Sequence, residues 1–153
     1  MIPNFRIKSK QEVERAYFDQ FRQLCNDIPH GKIIQSESPD FIIRSRHFSL
    51  GVEITRIYQE KIIEVYSGTL PSKISKVVFL SALLPILEKK ESKRLRYQTK
   101  RMNANWLLIV FVREPENLAY DFLKELDNTS VESGFEKVFL LDVIANQLIE
   151  LKS

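Results

Sequence analysis

The 153-residue chain contains one cysteine, two histidines and four glycines, and no long uninterrupted apolar run. Each shortage excludes a class of protein. A lone Cys25 cannot close an intramolecular disulfide, and Cys25, His30 and His47 are too few to complete a four-ligand zinc site, which argues against a disulfide scaffold and for a reducing interior. Few glycines and only six prolines exclude collagen-like and low-complexity sequence. There is no glycine-rich phosphate loop, no dinucleotide fingerprint and no nucleophile elbow. The most apolar stretch, Val77 to Leu87, is interrupted by Ser81 and Pro85 and spans 11 residues, where a bilayer needs about 20. The opening Met1-Ile2-Pro3-Asn4-Phe5-Arg6 has no apolar signal region, so a cytoplasmic protein with no membrane partner is expected.

The composition that remains is globular: 44% hydrophobic, 28% charged, with ten Phe and five Tyr. This is enough bulky apolar surface for one core, so residues 1–153 are expected to form a single domain. Net charge is only +3, but the window from Glu88 to Arg101 carries +5 and the rest of the chain −2. Such a block is either the solvated face of a helix or a footprint for phosphates, and Lys89, Lys90, Lys93 and Arg94 are its candidate nucleic-acid contacts.

Apolar spacing of three and four predicts a helix over Gln11 to Asp27, with Ser9 as its N-cap. Lys32–Gln35 is a short strand candidate, and Phe41–Ile43 with Leu50–Thr55 reads as an antiparallel hairpin. A mixed, partly helical stretch follows from Ile57 to Gly68. A long helical pattern then opens at Leu70-Pro71-Ser72 and runs toward Tyr97, with Pro85 expected to kink or divide it. Trp106–Val112 is apolar without alternation, as in a central strand covered on both faces. Pro115–Leu126 reads as a surface helix, Asp127–Gly134 as a polar loop, and Lys137–Asp142 with Gln147–Leu151 as a final strand pair. The long crossover between Thr55 and Trp106 would make those strands parallel neighbours. The expected fold class is therefore α/β, a mixed β-sheet flanked by helices.

Chemistry concentrates in Pro39-Asp40 and, after a hairpin, Glu53-Ile54-Thr55. Asp40 stands at the mouth of one hairpin strand. Glu53 points to the face opposite Val52 and Ile54 on the other. Two carboxylates plus a backbone carbonyl, that of Ile54, are hard donors suited to Mg²⁺ or Mn²⁺, which complete their shells with water and phosphate oxygens. Asp40 also has an ordinary turn explanation, and Glu53 could be an exposed edge residue. Glu14 lies on the apolar stripe of the first helix, either as an acid favoured by the first turn or as a supporting carboxylate, with Glu37 a loop alternative.

These residues resemble the motif of the PD-(D/E)xK nuclease superfamily: Pro-Asp, a variable hairpin, then an acid, an apolar residue and Lys. The surroundings extend the resemblance over most of Gln11 to Asp142. It implies a restriction-endonuclease-like αβββαβ core. It also implies a metal-dependent nuclease in which Asp40, Glu53 and the Ile54 carbonyl hold Mg²⁺ or Mn²⁺, Glu14 adds a water-mediated contact, and nucleic acid, DNA ahead of RNA, is the substrate. The departure is Thr55, which stands where the family has lysine. Thr can hold a water but supplies no charge, and Arg56, Lys90 and Lys93 are the candidates to replace the missing amine. The alternatives are a non-catalytic relative that binds nucleic acid or a protein partner, and an assembly subunit whose basic helix meets an acidic protein.

Overall fold

Ser9 starts the first helix: its hydroxyl accepts the N–H of Glu12 at 3.2 Å, answering one of the donors a helix N-terminus leaves open. Helix α1 spans Lys10–Leu24 and ends where Cys25 turns extended. The computed structural model describes residues 9–64, 73–97, 102–113, 120, 122–126 and 131–152.

Six strands follow: β1 Lys32–Gln35, β2 Phe41–Arg44, β3 Ser49–Tyr58, β4 Ala104–Val112, β5 Lys137–Asp142 and β6 Gln147–Lys152. They lie side by side in chain order in one mixed sheet. The pairs β1–β2, β2–β3 and β5–β6 are antiparallel, while β3–β4 and β4–β5 are parallel. The first parallel pair is made by a crossover containing a short helix α2, Gln59–Ile63, and the long helix α3, Lys76–Tyr97. Among the described residues no helix is long and apolar enough to cross a membrane.

The core divides between the two faces of the sheet, which is why β4 is apolar at every central position. Trp106, Leu108 and Val110 pack with Phe18 and Phe21 of α1. Leu107, Ile109 and Phe111 pack with Phe79, Leu83 and Leu87 of α3. The Phe18 ring stacks on Phe41 at 4.1 Å, tying α1 to β2; losing such a buried ring costs about 3–5 kcal/mol.

Three expectations need correction. Pro85 does not divide the long helix: α3 runs through it without a break, because Leu83 and Leu87, on either side of the proline, are both anchored in the core. Its predicted start at 70–72 lies outside the described residues. Strand β3 continues through Tyr58 rather than ending at Thr55, because β4 remains beside it as far as Val112. The surface helix expected over Pro115–Leu126 is, where described, a single 3-10 turn at Leu123–Leu126. Phe122, Leu123 and Leu126 are buried in the α3-side core, so these residues pack into the core instead of riding on the surface. The final strand pair forms as expected, its turn closed by Asn146 at φ 52°, a left-handed conformation that Asn tolerates.

Candidate functional site

The site arises because β2 is short and β3 is long. Pairing of β2 with β3 stops at Phe41–Val52, so from Glu53 onward β3 keeps β4 as its strand neighbour and passes the end of β2. There the Asp40 carboxylate takes the place of the next strand residue, its Oδ2 accepting the Ile54 N–H at 2.7 Å. The bond reaches across the hairpin, not into Asp40's own turn. A strand residue projects its N–H and C=O from the same edge, so the Ile54 carbonyl also faces the gap beyond β2.

Alternation does the rest. Val52 and Ile54 enter the α1-side core, and Glu53 is turned toward α3 with only 1% of its surface exposed. A buried carboxylate is costly unless paired. Lys93 and Lys90, three residues apart on one face of α3, meet that need: their ammonium nitrogens lie 2.8 and 3.1 Å from the same Oε1 of Glu53. Arg56, the basic neighbour on the strand itself, faces the other way and lies over the Tyr17 ring.

Asp40 is 6% exposed. Burial, then the negative charge of Glu53, push its carboxyl up to about 7, against the pull of the Ile54 N–H; Glu14 and a hydrogen bond to Glu53 push the same way. Lys93 moves oppositely to a simple buried amine. Burial favours losing the proton, but the hydrogen bond and charge of Glu53, with Asp40 and Glu14 behind it, outweigh that and raise the ammonium above its ordinary range. Glu14 is buried on α1 and paired with Lys10 at 3.6 Å. It sits past the first turn, where Glu12 is the acid, so the helix terminus does not account for it.

These groups line one cavity of about 310 Å³: Glu14, Asp40, Glu53, Ile54 and Thr55 on one part of its wall, Lys10, Arg56, Tyr58, Lys90 and Lys93 on the rest. Thr55 shares Glu53's side of the strand and is half-buried. A larger cavity, about 530 Å³ beside Leu80, Leu83 and Leu87, is mainly apolar and contains none of the sequence-predicted site residues.

The basic block separates into different roles. Lys89 is exposed. Lys90 and Lys93 turn inward to Glu53, and Arg94 bonds Glu91 at 2.6 Å. Glu91 in turn accepts the Ser133 hydroxyl and the Gly134 N–H, both at 2.9 Å, so Arg94 helps fasten the loop before β5. Lys100 and Arg101 lie outside the described residues. The block is thus neither a uniform solvated face nor a uniform phosphate surface. Lys10 and Tyr58 escaped the sequence reading. The i,i+4 spacing from Lys10 to Glu14 was a usable signal, whereas Tyr58 depended on how far β3 extends.

Among the described residues no three His, Cys, Asp or Glu side chains form a metal-sized group. The donors that do converge, two carboxylates and a strand carbonyl, are the hard oxygens that suit Mg²⁺, an ion that commonly uses one or two carboxylates and fills its shell with water and phosphate. No family model, curated protein or solved structure matches the chain.

Proposed function

We propose that the chain is a Mg²⁺-dependent nuclease with a restriction-endonuclease-like core, hydrolysing phosphodiester bonds at the Asp40–Glu53 cavity. One observation carries the reading: two α3 ammonium groups meet Glu53 beside Asp40, on the strand where Thr55 replaces the lysine of the resembled motif. The positive charge that Thr55 cannot supply is thus provided from the neighbouring helix. The element order supports the reading too, since α1, three strands, a helical crossover of α2 and α3, and β4 follow one another, close to the order the resemblance implies.

Asp40, Glu53 and the Ile54 carbonyl would hold the ion. When bound, Mg²⁺ supplies Lewis acidity toward a phosphate oxygen and a water of lowered pKa. The protein's own groups have distinct tasks. Lys93 keeps its proton at neutral pH, so it acts as fixed positive charge or proton donor and not as a base. Lys90 adds a second charge to the same wall. The Thr55 hydroxyl can both donate to and accept from a water, and Lys10 and Arg56 hold positive charge at the cavity for a nucleic-acid backbone, with DNA ahead of RNA as substrate.

A second reading, a non-catalytic relative that binds nucleic acid or a protein partner, is favoured by the same ion pairs, because a carboxylate neutralised by two amines needs no cation. Nicking of supercoiled plasmid and cleavage of single-stranded DNA, duplex DNA and RNA, with Mg²⁺ or Mn²⁺, separate the two. Cleavage by wild type, lost in Asp40→Asn and Glu53→Gln, supports the nuclease. Oligonucleotide binding without cleavage of any substrate supports the second reading instead.

A further inference from the structure

Both amines of α3 end on one oxygen. Glu53 Oε1 receives Lys93 Nζ at 2.8 Å and Lys90 Nζ at 3.1 Å, so both ammonium groups occupy the oxygen that a metal ion would use. A hard divalent cation would seek the same carboxylate. Ammonium groups and a divalent ion cannot crowd it together, because like charges a few Å apart repel strongly where water is scarce. Neither lysine is sealed from solvent: 33% of the Lys93 side chain and 15% of the Lys90 side chain are exposed. Long unbranched stems can carry the charge outward while their methylenes stay packed. The opening they would swing across is the cavity shared with Asp40, Lys10 and Arg56.

We infer that Lys90 and Lys93 form a built-in counter-cation that a divalent ion displaces from Glu53, and that the released ammonium groups engage a phosphate of the nucleic acid. Metal and phosphate then bind cooperatively, each favouring the arrangement the other needs. The inference rests on the metal-dependent reading of the site, and it adds that the lysines oppose the ion while assisting the substrate.

Opposite effects on two ligands make the test. Ca²⁺ binding to the full chain is measured by titration calorimetry, and binding of a fluorescent DNA oligonucleotide is measured with and without Ca²⁺, for wild type and Lys93→Met. The variant is expected to bind Ca²⁺ several-fold more tightly and the oligonucleotide several-fold more weakly, and to lose most of the gain that Ca²⁺ gives the wild type. Weaker oligonucleotide binding with unchanged Ca²⁺ affinity makes the lysines plain phosphate ligands and overturns the inference. Loss of both ligands together with a lower Tm makes them a structural pair and also overturns it. Because removing both lysines strands a buried charge, the Lys90→Met/Lys93→Met variant is paired with Lys90→Met/Lys93→Met/Glu53→Gln, which should fold and bind no Ca²⁺. If wild type binds Ca²⁺ and cleaves, but Lys93→Met gains no Ca²⁺ affinity, only this inference fails. If no form binds a cation, the metal-dependent reading fails with it.

Discussion

Asp40 does two jobs that conflict. Its Oδ2 completes the sheet by accepting the Ile54 N–H, a bond that favours the charged form, while burial and the neighbouring Glu53 favour the neutral one and hold it near 7. The unfolded chain has no such environment, so its Asp40 titrates in the ordinary carboxylate range near 3.9. A carboxyl raised in the folded state contributes most favourably below the unfolded value, and that contribution is lost as pH climbs to the folded one. Wild-type stability should therefore decline through this group between about pH 4 and 7 and level off above. Asp40→Asn keeps an acceptor for Ile54 and cannot ionise. It should exceed wild type by a few kcal/mol at pH 8, with the difference shrinking toward pH 4. Urea denaturation of both proteins across that range checks it, and a gap that does not change with pH would mean that Asp40 stays charged. Cation binding needs the ionised carboxylate, so Ca²⁺ affinity should rise with pH through about 7, the midpoint of the titration, and level off above it.

At the scale of elements, Gly51 governs how closely the Asp40 turn approaches the sheet. A Cβ there would stand 2.6 Å from Asn105 Oδ1 on β4 and 2.8 Å from Pro39 Cγ, both closer than carbon atoms can approach without a shift. The Asn105 oxygen is itself buried with no hydrogen-bond partner among the described residues, which fits a crowded corner more than a polar one. Gly51→Ala should displace Pro39 and with it Asp40, costing about 1–3 kcal/mol and weakening cation binding more than a change of equal cost elsewhere in the core, such as Ile149→Val. Calorimetric titration of the two variants, matched for stability, is the comparison; equal affinities would show that the Asp40 turn does not lean on this corner. Helix α3 is the other positioning element, since Phe79, Leu83 and Leu87 bury one side of it and thereby aim Lys90 and Lys93, farther along, at Glu53.

For the molecule as a whole, the charge asymmetry read from sequence has to be redistributed. Lys89 and Lys10 are solvent-facing cations, Lys10 at the cavity wall, whereas Arg94 belongs to the Glu91–Gly134 fastening. The two groups should respond differently. Lys10→Gln with Lys89→Gln should lower the log–log salt slope of duplex binding by up to about 0.9 for each phosphate no longer neutralised, with little change in Tm. Arg94→Gln should leave the slope unchanged and cost about 1–3 kcal/mol, the worth of a charge-assisted bond removed from a partly buried cluster. Fluorescence anisotropy at several salt concentrations, beside thermal melts, distinguishes them. A changed slope for Arg94→Gln would return that residue to the nucleic-acid surface.

Periodicity alone determined the layers. The spacing of Phe18, Phe21 and Cys25, the hairpin pattern from Phe41 to Thr55 and the unbroken apolar run of β4 are set by which faces must leave water, and that requirement is written locally. It also placed Asp40 at the mouth of one strand of a hairpin and Glu53 within the other. What only the tertiary structure decided is how charge is shared across sequence distance. Glu53 meets Lys90 and Lys93 across a crossover of more than thirty residues, Arg94 is spent on a loop before β5, and Phe122 and Leu123 turn inward from a segment that reads as surface. Hydrophobic burial repeats with the period of the backbone. Pairing of buried charges does not, because it depends on which side chains the packed layers bring within about 3 Å of one another.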